Sequence, residues 1–286
     1  MTISKNWLVS TDWLEAHLGA SDLVVLDGSS HLPNSGRDAA QEYREGRIPG
    51  AQFFDINGVA DQSTELPHML PTAEEFSRHV QAMGVSADSR IVAYDATNMS
   101  SASRVWWSFR AMGFDNIAVL DGGFQRWQRE DRPVETVQPS APEQGDFVAT
   151  PRPERVRSLA EVVALIGTDT QIADARAAGR FSGDDPEPRE APRLGHIPGS
   201  LNVPYTEFLA ADGTMLPPDA LEAVFRSHDL DAGAPAVATC GSGVTACMIA
   251  LALAVTGNDQ AAVYDGSWAE WSGSNAPVET GQPGKA

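Results

Sequence analysis

The sequence predicts an α/β protein built from two tandem domains, each a mainly parallel sheet with helices on both faces. Three observations carry this. Short apolar runs of strand length alternate with helix-length segments throughout, the order that produces parallel sheets covered on both sides. The same order of elements is written twice, with a period near half the chain, which marks domain duplication and not a short-repeat solenoid. And 286 residues, 42% of them hydrophobic, suffice for two full cores.

In the first half, Ser10 or Thr11 is placed to cap a helix running to about Leu18. Leu23-Val24-Val25-Leu26-Asp27 reads as a buried strand ending in Asp, and Gly46-Arg47-Ile48-Pro49-Gly50 as a turn. Phe53 and Phe54 resume an apolar strand, and Pro71-Thr72-Ala73-Glu74-Glu75 opens a capped helix. Arg90 to Tyr94 is a further buried strand, Ser103 to Met112 a Trp-rich helix, and Ile117 to Gly123 a strand and turn.

The second half repeats the list. Ser158-Leu159-Ala160-Glu161 opens a helix, Gln171 to Asp174 is a strand, and Gly195-His196-Ile197-Pro198-Gly199 is the same turn again. His196 is expected to bond backbone there, and Asp174 to brace Arg176. Leu216 to Leu221 starts a helix, and Ala236 to Thr239 is the strand that aligns with Val92-Ala93-Tyr94. Each half closes on a tryptophan, Trp127 and Trp271. Prolines at 133, 139, 142, 151 and 153 mark an extended linker. The expected boundaries are 1–138 for the first domain, 139–155 for the linker and 156–286 for the second.

Composition excludes several classes. With 39 acidic against 20 basic side chains the net charge is −19, which argues against nucleic acid as a partner. Met1 to Trp7 has no apolar core of a signal peptide, and the longest apolar run is too short to span a bilayer. A cytoplasmic protein without a membrane partner is expected. The two cysteines, Cys240 and Cys247, offer neither a disulfide framework nor a zinc site, and no cofactor is implied.

The chemistry concentrates at Cys240-Gly241-Ser242-Gly243-Val244-Thr245, between a buried strand and an Ala-rich helix. Two glycines let the loop curl, so that its N–H groups and the helix dipole favour a thiolate. Cys240 is read as a nucleophile and Cys247 as core packing. In the first half the position of Cys240 is Asp95, which has no sulfur chemistry, so the second domain alone is expected to be catalytic.

Asp174-Ala175-Arg176, Gly195 to Ser200, Arg180-Phe181, Pro186-Glu187-Pro188-Arg189 and Tyr264 to Trp271 together resemble the tandem-domain rhodanese family of sulfurtransferases over nearly the whole chain. The resemblance implies two rhodanese-like domains, the second bearing the catalytic cysteine. The loop Cys-Gly-Ser-Gly-Val-Thr resembles that of the 3-mercaptopyruvate sulfurtransferases, whereas thiosulfate-using relatives carry Cys-Arg-Lys-Gly-Val-Thr. Two loop cations suit the thiosulfate dianion, and Gly241-Ser242 suits a monoanionic keto-acid.

By that resemblance Cys240 takes sulfur as a persulfide, the loop N–H groups from Gly241 through Ser242, Gly243 and Val244 to Thr245 hold the outer sulfur, and Arg180 and Arg189 bind substrate. The acceptor it implies is a small thiol, thioredoxin or cyanide. His68 matches a histidine that could relay a proton with Ser242; the usual supporting Asp is Asn57 here, with Asp61 nearby in sequence. A structural reading of Arg180 and Arg189 pairs them with neighbours such as Asp184, Asp185, Glu187 or Glu190 instead. Rival functions are thiosulfate:cyanide sulfurtransfer, a non-catalytic persulfide carrier, and a cysteine phosphatase. The last needs an arginine where Ala246 stands.

Overall fold

Strand order is the same in both halves of the molecule. A computed structural model describes residues 7–137 and 140–281; the N-terminal segment before Trp7, Pro139 of the linker and the outer ends of both expected domains lie outside the described residues. The first unit comprises residues up to Ser63, Leu70–Arg152 and Ala211–Met215. The second comprises Thr64–Met69, Pro153–Ala210 and the chain from Leu216 onward.

In the first unit the elements are β1 (Leu8–Val9), α1 (Thr11–His17), β2 (Leu23–Asp27), α2 (Ala39–Glu45), β3 (Gln52–Phe53), α3 (Ile56–Val59), α4 (Ala73–Ala82), β4 (Arg90–Tyr94), α5 (Ser100–Ala111), β5 (Ile117–Leu120) and α6 (Gly123–Arg129). In the second they are β6 (Val156–Arg157), α7 (Leu159–Leu165), β7 (Gln171–Asp174), α8 (Ala178–Ser182), β8 (Leu201–Asn202), α9 (Pro218–Ser227), β9 (Ala236–Thr239), α10 (Ala246–Val255), β10 (Ala262–Tyr264) and α11 (Ser267–Trp271). Each unit holds a five-stranded parallel sheet, ordered β1-β5-β4-β2-β3 and β6-β10-β9-β7-β8.

Side chains alternate across a sheet, so a strand buried at every position is covered on both faces. All five residues of β4 and all four of β9 are buried. One face of the first sheet packs Val92, Tyr94 and Leu120 against Leu14 of α1, Tyr43 of α2 and Trp127 of α6, while α5 lies on β4 and β5. The second sheet repeats this with Val237 and Tyr264 against Val162 of α7 and Trp271 of α11, and with α10 on β9 and β10. The closing tryptophans make the same bond in each unit: Trp127 Nε1–H donates to the Pro133 carbonyl at 2.7 Å and Trp271 Nε1–H to that of Pro277 at 2.9 Å.

Helix starts follow local chemistry. Ser10 Oγ accepts from the Trp13 N–H, and Thr72 with Glu75 and Ser158 with Glu161 form reciprocal capping boxes. β3 ends at Phe53, and Phe54 turns into the core beyond it. The linker residues 140–152 belong to the first unit: Gly145 N–H donates to Gln81, Phe147 N–H to Val85 and Ala149 N–H to Ser77 Oγ, while the Phe147 ring joins Phe76, Phe109 and Phe114. Among the described residues no helix is long and apolar enough to cross a membrane.

Candidate active site

β9 delivers Cys240 to the end of the second sheet, 2% exposed, and α10 begins at Ala246. The loop between them is fastened from α11. The Cys240 N–H donates to Ser267 Oγ at 3.2 Å, and that hydroxyl donates to the Tyr264 carbonyl at 2.8 Å. Trp268 N–H donates to the Cys240 carbonyl at 3.0 Å and Ala269 N–H to that of Gly241 at 2.9 Å. The backbone of Cys240 is thus fixed on both sides of its Cα.

The two loop glycines do different jobs, which corrects the expectation that both serve to curl the chain. Gly243 takes φ +77°, a left-handed conformation that a Cβ penalises. Gly241 is absent from the left-handed residues; instead, a Cβ there would lie 2.6 Å from Arg180 Nη2. It is small because a guanidinium lies across it. Cys247 is buried in α10 and its thiol donates to the Gly243 carbonyl at 3.3 Å, consistent with packing.

Behind the loop runs a chain of alternating charges. Asp174, at the end of β7, accepts from Arg176 Nη2 at 2.7 Å and from its Nε. Arg176 is fully buried, lies over the Trp268 ring with Cζ 4.6 Å from its centroid, and donates from Nη1 to Glu187 Oε1 at 2.7 Å. Glu187 accepts on Oε2 from Arg180, from Nε at 3.0 Å and from Nη2. Arg180 therefore meets the acidic partner that a structural reading assigns it, and the same carboxylate holds it against the cysteine loop.

His68 enters this unit on the Thr64–Met69 segment, buried and at φ +64°. Its Nε2 stands 3.3 Å from Arg189 Nη2, and its Nδ1 stands 3.1 Å from Ser242 Oγ and 3.2 Å from the Ser242 carbonyl. A guanidinium can only donate, so Nε2 accepts and Nδ1 bears the proton. The Ser242 oxygen accordingly accepts from His68, and its own hydroxyl proton is left to be donated elsewhere. Arg189 is half-buried, and burial draws its pKa below the ordinary arginine value. Asn57 and Asp61 belong to the first unit, where Asn57 N–H donates to Asp55 and Asp61 accepts from the Ser63 N–H at 2.8 Å.

Cys240, Gly241, Ser242, Arg180, Arg189 and His68 are thereby brought together. His196 is structural: Nδ1 meets the Phe181 carbonyl at 2.9 Å and the ring stacks on Phe181. Two residues of the site were missed by sequence reasoning as individuals. The sequence presents Glu187 only as a partner that makes Arg180 structural. Ser267 was noticed only within a motif. It sits at φ +49°, strained for a serine by about 1 kcal/mol or more. Its counterpart in the first unit is Gly123 at φ +56°, and a non-glycine replacing a left-handed glycine in one copy of a duplication is a legible signal.

Comparison with known proteins finds relatives over most of the chain. The rhodanese-like domain family matches residues 10–130 and 158–274. The chain is 42% identical to the 3-mercaptopyruvate sulfurtransferase of Rattus norvegicus, over 92% of this chain and 91% of that protein. It is also 42% identical to the thiosulfate sulfurtransferase of Rattus norvegicus, over 98% of this chain and 97% of that protein. The crystal structure of SseA, a 3-mercaptopyruvate sulfotransferase from Escherichia coli, superposes with a TM-score of 0.84 at 38% identity, covering 92% of this chain and 99% of that one. Two sheets of identical strand order, a loop-borne cysteine in the second, and matches in both halves make this chain a member of the rhodanese family.

Proposed function

We propose that the protein is a sulfurtransferase that takes sulfur from 3-mercaptopyruvate onto Cys240 and hands it to a thiol or to cyanide. The observation that carries the reading is the set of groups around one thiol. Arg180 lies on Gly241, His68 on Ser242 and Arg189 on His68, which supplies cations and a hydroxyl for a small keto-acid beside the nucleophile. The loop lacks the cations that thiosulfate-using relatives carry there. Overall identity does not choose between donors, since the two rat enzymes are equally similar at 42%.

In this mechanism the Cys240 thiolate attacks the substrate sulfur. The carbon–sulfur bond breaks, and its electron pair passes into the enolate of pyruvate, which takes up the proton given up by the substrate thiol. Arg189 and Arg180 orient the carboxylate and carbonyl through directed N–H groups. Ser242, accepting from His68, turns its hydroxyl proton to the developing enolate oxygen. Loop N–H groups from Gly241 to Thr245 stabilise the outer sulfur of the persulfide. A thiolate, of a small molecule or of a thioredoxin-like protein, then attacks that sulfur and restores Cys240. Cyanide would leave as thiocyanate. We place this chemistry in the cytoplasm, where a reducing environment preserves a free nucleophilic thiol. The first unit serves as scaffold, and the second carries the chemistry.

The test is kcat/KM for 3-mercaptopyruvate against thiosulfate, paired with intact mass after exposure to donor. A gain of about 32 Da that is lost in Cys240→Ser, with 3-mercaptopyruvate the better donor, is expected. Preference for thiosulfate would replace the donor, and a stable adduct without repeated turnover would make the protein a carrier.

A further inference from the structure

We infer that Glu187 is a specificity-determining residue: by neutralising Arg180 beside Gly241, its carboxylate limits the net positive charge of the cleft and turns the enzyme from dianionic to monoanionic donors. The inference rests on the donor reading proposed above and names the residue that sets it.

The argument is a count of charges at fixed distances. Asp174, Arg176, Glu187 and Arg180 form one chain of contacts, with Arg176 to Asp174 at 2.7 Å, Arg176 to Glu187 at 2.7 Å and Arg180 to Glu187 closing it. Two negative and two positive groups cancel. Asp174, Arg176 and Glu187 are nearly inaccessible, with side chains 1%, 0% and 6% exposed, so solvent screens them weakly. Arg180 is 24% exposed and is the end of the chain that reaches the loop. A Cβ at Gly241 would lie 2.6 Å from its Nη2 and 3.7 Å from Glu187 Oε2, so the guanidinium and its counter-charge both border the cysteine loop. Arg180 can thus offer N–H donors to substrate while contributing little net field. Arg189, outside this chain of four, adds one positive charge. These five side chains thus carry a net charge of +1, which matches one carboxylate and leaves a second substrate charge unmatched.

Glu187 is a positioning residue, since it acts through Arg180. The test measures kcat/KM for thiosulfate and for 3-mercaptopyruvate with one common acceptor in wild type, Glu187→Gln and Glu187→Asp. Glu187→Gln keeps the shape and removes the charge. The ratio of thiosulfate to 3-mercaptopyruvate efficiency should rise about tenfold, the effect of one additional charge acting on one additional substrate charge at close range in a partly solvated cleft. Glu187→Asp keeps the charge and should hold the ratio within about twofold of wild type. A purely structural role predicts parallel losses with both donors and an unmoved ratio, which would overturn the inference. So would a shift in Glu187→Asp as large as the one expected of Glu187→Gln, a criterion that stands even if the glutamine variant does not fold. Should wild type prefer thiosulfate, the donor reading fails, while the change in ratio between wild type and variants still decides the role of Glu187.

Discussion

Asp95 and Cys240 occupy the same place in two copies of one fold, each just after the central strand of its five-stranded sheet, β4 in the first unit and β9 in the second, yet their surroundings differ in kind. Asp95 is closed in by its own loop. Its two oxygens accept from the N–H groups of Thr97, Met99, Ser101 and Ala102 and from the Ser101 hydroxyl. The loop has wrapped around an internal anion, holding Met99 in a left-handed conformation at φ +59°. Cys240 is held by its backbone, from Ser267 and Trp268, with Ala269 holding Gly241 beside it, and its loop turns at Gly243 instead. The arginines diverge in parallel. Arg37 makes two 2.7 Å bonds to Glu42 within a cavity of about 390 Å³ that contains no thiol, whereas Arg180 shares Glu187 with Arg176 and lies against Gly241. Phe124 N–H donates to the Asp95 carbonyl at 2.8 Å just as Trp268 N–H does to that of Cys240 at 3.0 Å, so both copies keep one anchor, and the first loop in addition closes on its own carboxylate.

The sharpest way to break this comparison is to remove the thiol. Cys240→Ser should lower turnover at least about a thousandfold and abolish the persulfide mass, while Cys247→Ser should stay within about threefold of wild type in the same assay. Next in size is Arg189→Gln. Losing one charge-assisted contact of roughly 2 kcal/mol should raise KM for 3-mercaptopyruvate about thirtyfold with a smaller change in kcat, read from initial rates.

Asp95→Asn tests the other side. Asparagine offers one acceptor oxygen to four buried amides, so stability at pH 7 should fall by roughly 2 kcal/mol in denaturant titration, with kcat of the folded protein preserved. Burial pushes the Asp95 carboxyl up to about 6. Between about 4, the value in an unfolded chain, and that point, the folded protein binds a proton the unfolded chain has released. Asp95's contribution is therefore fully present below that window and is lost as pH rises through about 6, by at most ~3 kcal/mol. The stability gap between wild type and Asp95→Asn should accordingly be wider at pH 4 than at pH 7. The smallest effect is expected from Ser242→Ala, about fivefold in kcat, the worth of one neutral hydrogen bond near 1 kcal/mol.

What the sequence made legible is what local chemistry dictates. Apolar runs such as Arg90–Tyr94 and Ala236–Thr239 gave the buried strands, and Thr72 with Glu75 and Ser158 with Glu161 gave the helix starts. What escaped depends on contacts distant in the chain. Nothing beside Gly241 in sequence announces that Arg180 lies across it, because the two are brought together by β7, β9 and the loop after α8. Glu187 could be recognised as a partner of Arg180, but its second bond to Arg176 exists only once both arginines are folded onto one carboxylate. The sequence offers His68 upstream neighbours, Asn57 and Asp61, whereas its Nε2 faces the Arg189 guanidinium from the other half of the chain.

The Thr64–Met69 segment carries a consequence for the protein's history. It is written in the first half of the chain and built into the second unit, as Ala211–Met215 is written in the second half and built into the first. A fragment starting at Pro153 would inherit the nucleophile and both arginines but would arrive without its imidazole. Each half has lent the other a piece, and a gene split between them would need the loan repaid in trans.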